Sequence, residues 1–203
     1  MYADRTDAGR QLAAALAEYR GTRPVVLGLP RGGVVVAAVI ARALAGDLDV
    51  VLVKKLRARG NPELAIGALG EDGRYVLNEM PVDPAYLEEE CDTRLAEMKL
   101  QREQYRAVRP RLELTRRTVI LVDDGLATGA TMEAAVQTTR LAKPESMTVA
   151  VPVGPPETIA RLARECPVVC PLRPAWFEGV GQFYEDFTQV TDEEVVGILK
   201  EFA

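Results

Sequence analysis

Apolar positions recur at helical spacing from Asp7 to Tyr19, with Leu12, Leu16 and Tyr19 on one side and Gly21 and Pro24 beyond, which predicts a first amphipathic helix. Val25 to Leu29 is a continuous apolar run, broken by Pro30-Arg31-Gly32-Gly33 and followed by an Ala/Val-rich stretch through Leu44. That is the pattern of a buried strand, a tight loop and a helix. Asp49 to Leu56 is again strand-like, and after a polar segment from Arg57 to Glu63 come Leu64 to Leu69 and Arg74 to Leu77, separated by the hairpin-type turn Glu71-Asp72-Gly73. Pro84 to Arg106 has strong helix formers, dense charge and no internal Gly or Pro, predicting one long, mostly exposed helix that Arg109-Pro110 ends. Thr118 to Val122 is the cleanest buried strand; it runs into a small-residue loop and then a helix to about Leu141. Met147 to Val153 and Val168 to Cys170 read as short strands around a helix from Pro156 to Arg164. Strands alternating with helices predict an α/β fold: a doubly wound, mainly parallel sheet with a small antiparallel excursion, in a single domain of 203 residues. Ligands of such sheets sit beyond the carboxyl ends of the strands.

Composition narrows the chemistry. Histidine is absent, which removes Ser-His-Asp and Cys-His triads and His-ligated metals. Three cysteines, Cys91, Cys166 and Cys170, match no zinc or CxxC spacing, so a reducing cytoplasm is expected. The apolar runs are too short to span a bilayer and no apolar block follows the N-terminal residues, so neither membrane insertion nor secretion is expected. A net charge of −5 argues against nucleic acid as a partner. The arginine-rich stretch from Arg94 to Arg117 has only Tyr105 as an aromatic, and reads as a solvated helix face with pairs such as Glu90 with Arg94 and Glu103 with Arg106.

The segment from Val119 to Thr131 concentrates functional chemistry. An apolar strand delivers Asp123 and Asp124 at its carboxyl end, and Gly125 to Gly129 then turns into a helix. Small residues leave backbone amides free, and a helix N-terminus adds partial positive charge, so Ala127, Thr128, Gly129, Ala130 and Thr131 form an anion cradle. Two carboxylates beside a phosphate fit acceptors for sugar hydroxyls or ligands of Mg²⁺. Cradle and diol acceptors together fit a ribose 5-phosphate. Neither GxxxxGK[ST] nor GxGxxG after a strand is present.

Ile120-Leu121-Val122-Asp123-Asp124-Gly125-Leu126-Ala127-Thr128-Gly129-Ala130-Thr131 resembles the phosphoribosyl pyrophosphate (PRPP) motif of the type I phosphoribosyltransferases. The resemblance implies that Asp123 and Asp124 bind the ribose hydroxyls, with Mg²⁺ as cofactor, and that the loop after them binds the 5-phosphate. One departure is Gly125, where the family has an aliphatic residue; it removes no ligand group. Leu29-Pro30-Arg31-Gly32-Gly33 is similar to the family's pyrophosphate loop, which makes Pro30, Arg31, Gly32 and Gly33 pyrophosphate-binding candidates. Lys54 and Lys55 fall where the family's flexible loop begins, here about 55–66; with Arg31 they are the candidates to stabilise the leaving diphosphate, and Glu63 is the candidate to remove a proton from the incoming base. Leu126, Trp176 and Phe177 are the base-binding candidates, the last two in a C-terminal hood at about 171–203; stapling of that segment to the sheet explains the aromatics equally well. The implied activity is transfer of the 5-phosphoribosyl group of PRPP to a nucleobase or similar nitrogen heterocycle by a cytoplasmic homodimer of nucleotide salvage. The alternative is a non-catalytic PRPP- or nucleotide-binding regulator.

Overall fold

The computed structural model describes residues 1–78 and 80–203, with the side chain of residue 63 outside the description. In chain order it forms α1 (Arg5–Ala15), β1 (Val25–Gly28), α2 (Gly32–Leu44), β2 (Asp47–Val50), β3 (Val53–Ala58), β4 (Asn61–Gly70) and β5 (Tyr75–Leu77). There follow α3 (Pro84–Val108), β6 (Thr118–Val122), α4 (Ala130–Arg140), β7 (Ser146–Ala150), α5 (Pro156–Leu162), β8 (Val168–Val169) and α6 (Asp192–Lys200). A parallel sheet in the order β2-β1-β6-β7-β8 is the backbone of the fold, and β3-β4-β5 form a separate antiparallel sheet. The doubly wound sheet with an antiparallel excursion is therefore as expected. β1 and β6 are buried along most of their length because both faces are covered, which is why they read as unbroken apolar runs. Among the described residues no helix is long and apolar enough to cross a membrane.

Three expectations change. The strand expected over Asp49–Leu56 is two strands in different sheets. The chain leaves the parallel sheet at Val51 and Leu52, and buried Val50 and Leu56 hold both sides of the corner in one core, so no break shows in the apolar pattern. Residues 55–66, expected to form a flexible loop, are mostly paired: β3 and β4 form a hairpin whose Leu56, Ile66 and Leu69 bury in the same core as Met98 and Tyr105 of α3. Finally, α3 is largely exposed, as expected, but it also carries a buried face that the expectation lacked. Glu90, Arg94, Met98 and Tyr105 lie on one buried stripe, hidden in the sequence because half of it is charged. The C-terminal α6 opens on a capping box, in which Thr191 and Glu194 satisfy each other's backbone amides.

The buried charges of this region pair both along α3, where Arg94 Nε lies 3.2 Å from Glu90 as the spacing predicts, and across elements. Arg106 meets Asp49 at 2.6 Å and both carboxylate oxygens of Glu71, not Glu103. Asp49 is 1% exposed. Arg106→Met would strand two buried acids, and an expected loss of about 3–5 kcal/mol should appear as a lower midpoint in urea unfolding. A loss within the few tenths expected of a surface site would show the network to be dispensable.

Candidate functional site

Gly28 of β1 and Val122 of β6 are register partners, so the loops that follow the two strands leave the sheet side by side. The Leu29 amide donates to the Val122 carbonyl at 2.8 Å, which ties their first residues together. A Cβ on Gly33 would lie 2.7 Å from Val122 O and 2.8 Å from Asp123 Cα, and one on Gly32 would run into the Asp124 carboxylate. Only glycine lets the backbone of residues 30–33 lie this close to the acid pair. The Pro30–Arg31 peptide bond is cis. Each loop opens a helix, α2 at Gly32 and α4 at Ala130, so two positive helix ends converge on the space beyond Asp123 and Asp124.

The acid pair is sheltered and partly neutralised. Asp123 Oδ1 accepts the Asp124 amide at 2.8 Å, and Arg5 Nε donates to Asp124 Oδ2 at 2.8 Å. Burial, reinforced by the neighbouring Asp124 charge, holds the Asp123 carboxyl well above the usual carboxylate range. Burial also raises Asp124, against the pull of Arg5. Arg5 itself lies over the Phe187 ring at 4.0 Å and donates to the Thr188 carbonyl, while the Tyr184 hydroxyl donates to the Asp124 carbonyl at 2.6 Å. The first residues and the segment before α6 thus meet over the site: the Tyr2 amide bonds Phe183 O, and the Glu185 amide bonds Tyr2 O. No local sequence signal marks Arg5 or Tyr184, because Arg5 acts across more than half the chain and Tyr184 bonds a backbone atom.

Around the second loop, Thr128 and Thr131 are exposed. The amides of residues 127–132 have no protein acceptor among the described residues. Gly129 caps α4 at φ +74°, a left-handed conformation that other residues adopt at a cost. Carbonyls rather than amides of this loop are bound to protein: Thr158 Oγ1 donates to Ala127 O at 3.0 Å, and Arg161 donates to Thr128 O. The loop is therefore held from behind with its donors facing outward. The amides of Arg31, Gly32 and Gly33 likewise have no acceptor among the described residues. Gly125 also finds its reason, since a Cβ there would lie 2.6 Å from Val180 Cγ1, a C-terminal side chain filling the space.

The other candidates are distributed unevenly. The Arg31 guanidinium turns to Asp192 at the start of α6, at 3.5 Å, where the Tyr105 hydroxyl and Gln101 also donate. Lys54 and Lys55 line a cavity of about 310 Å³ that Pro30 and Thr131 also border. The Glu63 side chain lies outside the described residues. Leu126 is 2% exposed and packs in the core with Met132, Ile159 and Leu162, so it offers no face to a base; its position on the motif points the aliphatic group inward. Phe177 stacks on Phe183 at 5.5 Å within the cluster that joins the first residues to the segment before α6, whereas Trp176 is 76% exposed. Asp123 and Asp124 offer hard oxygen donors suited to Mg²⁺, but no group of three metal-ligating side chains occurs among the described residues.

The phosphoribosyl transferase domain model matches residues 2–188. Proteins from the CDC 1551 and H37Rv strains of Mycobacterium tuberculosis are 47% identical over 98% of this chain, and their names assign them provisionally to the phosphoribosyl transferases. The chain spans about half the length of these relatives, 46%. The crystal structure of TT1426 from Thermus thermophilus superposes with a TM-score of 0.95 at 50% identity, covering 100% of this chain and 99% of that one. A hypothetical protein from Neisseria gonorrhoeae, solved with bound ppGpp, shares the fold at a TM-score of 0.51 and 14% identity over 99% and 93% of the two chains. With a family model matching nearly its full length and a close match in fold and sequence, this chain belongs to the phosphoribosyl transferase domain family.

Proposed function

We propose that the protein binds PRPP beyond the carboxyl ends of β1 and β6 and transfers its phosphoribosyl group to a nitrogen heterocycle, releasing pyrophosphate. The observation that carries this reading is the convergence of two helix N-termini, with outward amides, on a sheltered pair of acids. Residues 127–131 and the Thr128 and Thr131 hydroxyls would hold the 5-phosphate. Asp123 and Asp124 would accept from the ribose hydroxyls, and sugar binding there would share Asp124 with Arg5. The amides of Arg31, Gly32 and Gly33, with Lys54 and Lys55, would hold the diphosphate. Asp123 and Asp124 would hold Mg²⁺ jointly with oxygens of the substrate, since no third acid joins them among the described residues.

In the reaction the bond from C1 to the diphosphate oxygen breaks, a bond from C1 to the heterocycle nitrogen forms, and the diphosphate leaves with the bonding pair. Bound Mg²⁺ supplies Lewis-acid charge to that leaving group. The chain contributes fixed donors that already point at the developing anion, so little reorganisation is needed as charge builds. Glu63 is the candidate to take the proton of the incoming nitrogen. The hood of Trp176 and Phe177 is the candidate acceptor face, and a homodimer acting in the cytoplasm belongs to the same reading. Incubation with PRPP, Mg²⁺ and a panel of bases, following pyrophosphate release, tests it. Turnover with one base supports transfer, saturable PRPP binding without turnover with any of them would favour a regulator, and no binding would overturn both.

A further inference from the structure

The cavity beside the two anion loops has a cationic wall. Lys54, Lys55 and Arg57 of β3 border it together with Arg94 of α3, and no acid does among the described residues. Arg94 is the unexpected member. Its side chain is 9% exposed, and its Nε and Nη1 make no aligned hydrogen bond among the described residues. These atoms instead face Glu90 at 3.2 Å and Glu97 at 2.6 Å, ion pairs without good hydrogen-bond geometry. Two of the three nitrogens of this sheltered guanidinium thus have no matched partner among the described residues.

The two acids differ. Glu90 is buried and already accepts the Arg57 amide at 2.9 Å, which fixes it as part of the scaffold. Glu97 is 40% exposed, lies outside the cavity wall, and also sits 3.8 Å from Lys54 Nζ. It therefore engages two of the cations that a polyanion in the cavity would need.

We propose that α3 supplies a wall of the diphosphate site, with Arg94 bonding the diphosphate directly and Glu97 serving as the internal counter-ion that Arg94 and Lys54 exchange for it. This rests on the PRPP-binding reading and deepens it, by adding a residue to the site and a control on its occupancy. A diphosphate offers several charged oxygens that can complete the donors Glu97 leaves misaligned. Because Glu97 is tethered at high effective concentration, it returns as the product departs and opposes rebinding. Glu97 is thus a positioning residue whose removal strengthens binding, the reverse of what a structural role predicts.

The test is calorimetric titration of the full chain with inorganic pyrophosphate and, separately, ribose 5-phosphate, both with Mg²⁺. Glu97→Gln should bind pyrophosphate roughly threefold to tenfold more tightly, with ribose 5-phosphate unchanged. The pair Arg94→Met with Glu90→Gln, which strands no buried charge, should weaken pyrophosphate by about tenfold and again spare ribose 5-phosphate. Unchanged or weaker pyrophosphate binding in Glu97→Gln would overturn the counter-ion role, and unchanged binding in the double variant would overturn the contact from Arg94. If the unaltered protein binds ribose 5-phosphate but not pyrophosphate, the α3 assignment fails alone; if it binds neither, the PRPP reading fails and this inference with it.

Discussion

Asp123→Asn should raise the melting temperature of the ligand-free protein at neutral pH while cutting its affinity for PRPP between about tenfold and a hundredfold for each sugar hydrogen bond lost. Both effects have one cause. The Asp123 carboxyl is sheltered beside Asp124, and its folded-state pKa is raised well above the ordinary value of 3.8. Below that ordinary value the folded and unfolded chains are both protonated and the group costs nothing. As pH rises above it, the unfolded chain gives up the proton to gain hydration while the folded chain retains it, so stability falls with rising pH up to the raised folded-state pKa. Asparagine removes that slope. Thermal unfolding between about pH 4 and pH 8 would show the variant gaining on the native protein as pH increases, and calorimetry would show the loss of PRPP. Parallel pH profiles for the two proteins would mean that Asp123 carries no such strain.

The second large effect is expected at Gly33. A methyl group there has nowhere to go, because Val122 O, Asp123 Cα and Asp123 Oδ1 lie 2.7, 2.8 and 3.0 Å from the place of its Cβ, and the first two are backbone. Gly33→Ala must therefore push the first anion loop away from the second. Overpacking of this kind costs about 1–3 kcal/mol, and binding of pyrophosphate and ribose 5-phosphate should fall together, since one displacement spoils both loops. Gly197→Ala is the matched control: its Cβ meets nothing within 4 Å, and in α6 it should gain roughly 0.5–1 kcal/mol with binding unchanged. Retention of both ligands by a folded Gly33→Ala protein would show that the two loops bind independently of their spacing.

What the sequence reveals depends on how far apart the cooperating residues stand. β6, the acid pair, the small-residue loop and α4 form one contiguous stretch, so periodicity and helix-end chemistry are enough to place them. The same holds for β1, residues 30–33 and α2. Arg5 lies 119 residues from the carboxylate it pairs with, and Asp192 lies 161 residues from Arg31, distances at which spacing carries no information. α3 departs from expectation for a different reason. Its inward stripe includes Glu90 and Arg94, charged side chains that count as solvent-facing until their partners are known. The bend between β2 and β3 leaves no trace in the pattern because Val50 and Leu56 remain buried on either side of it.

The lacing of the first residues to those near 183–188 bears on how the protein comes into being. The sheet and both anion loops lie within the first 170 residues, yet Arg5 and the Asp124 carbonyl are secured by Phe187, Thr188 and Tyr184. During synthesis the N-terminal helix waits for a clasp that the ribosome exposes late. A nascent chain stalled before that point should already resist proteases at its sheet while still failing to retain a sugar phosphate.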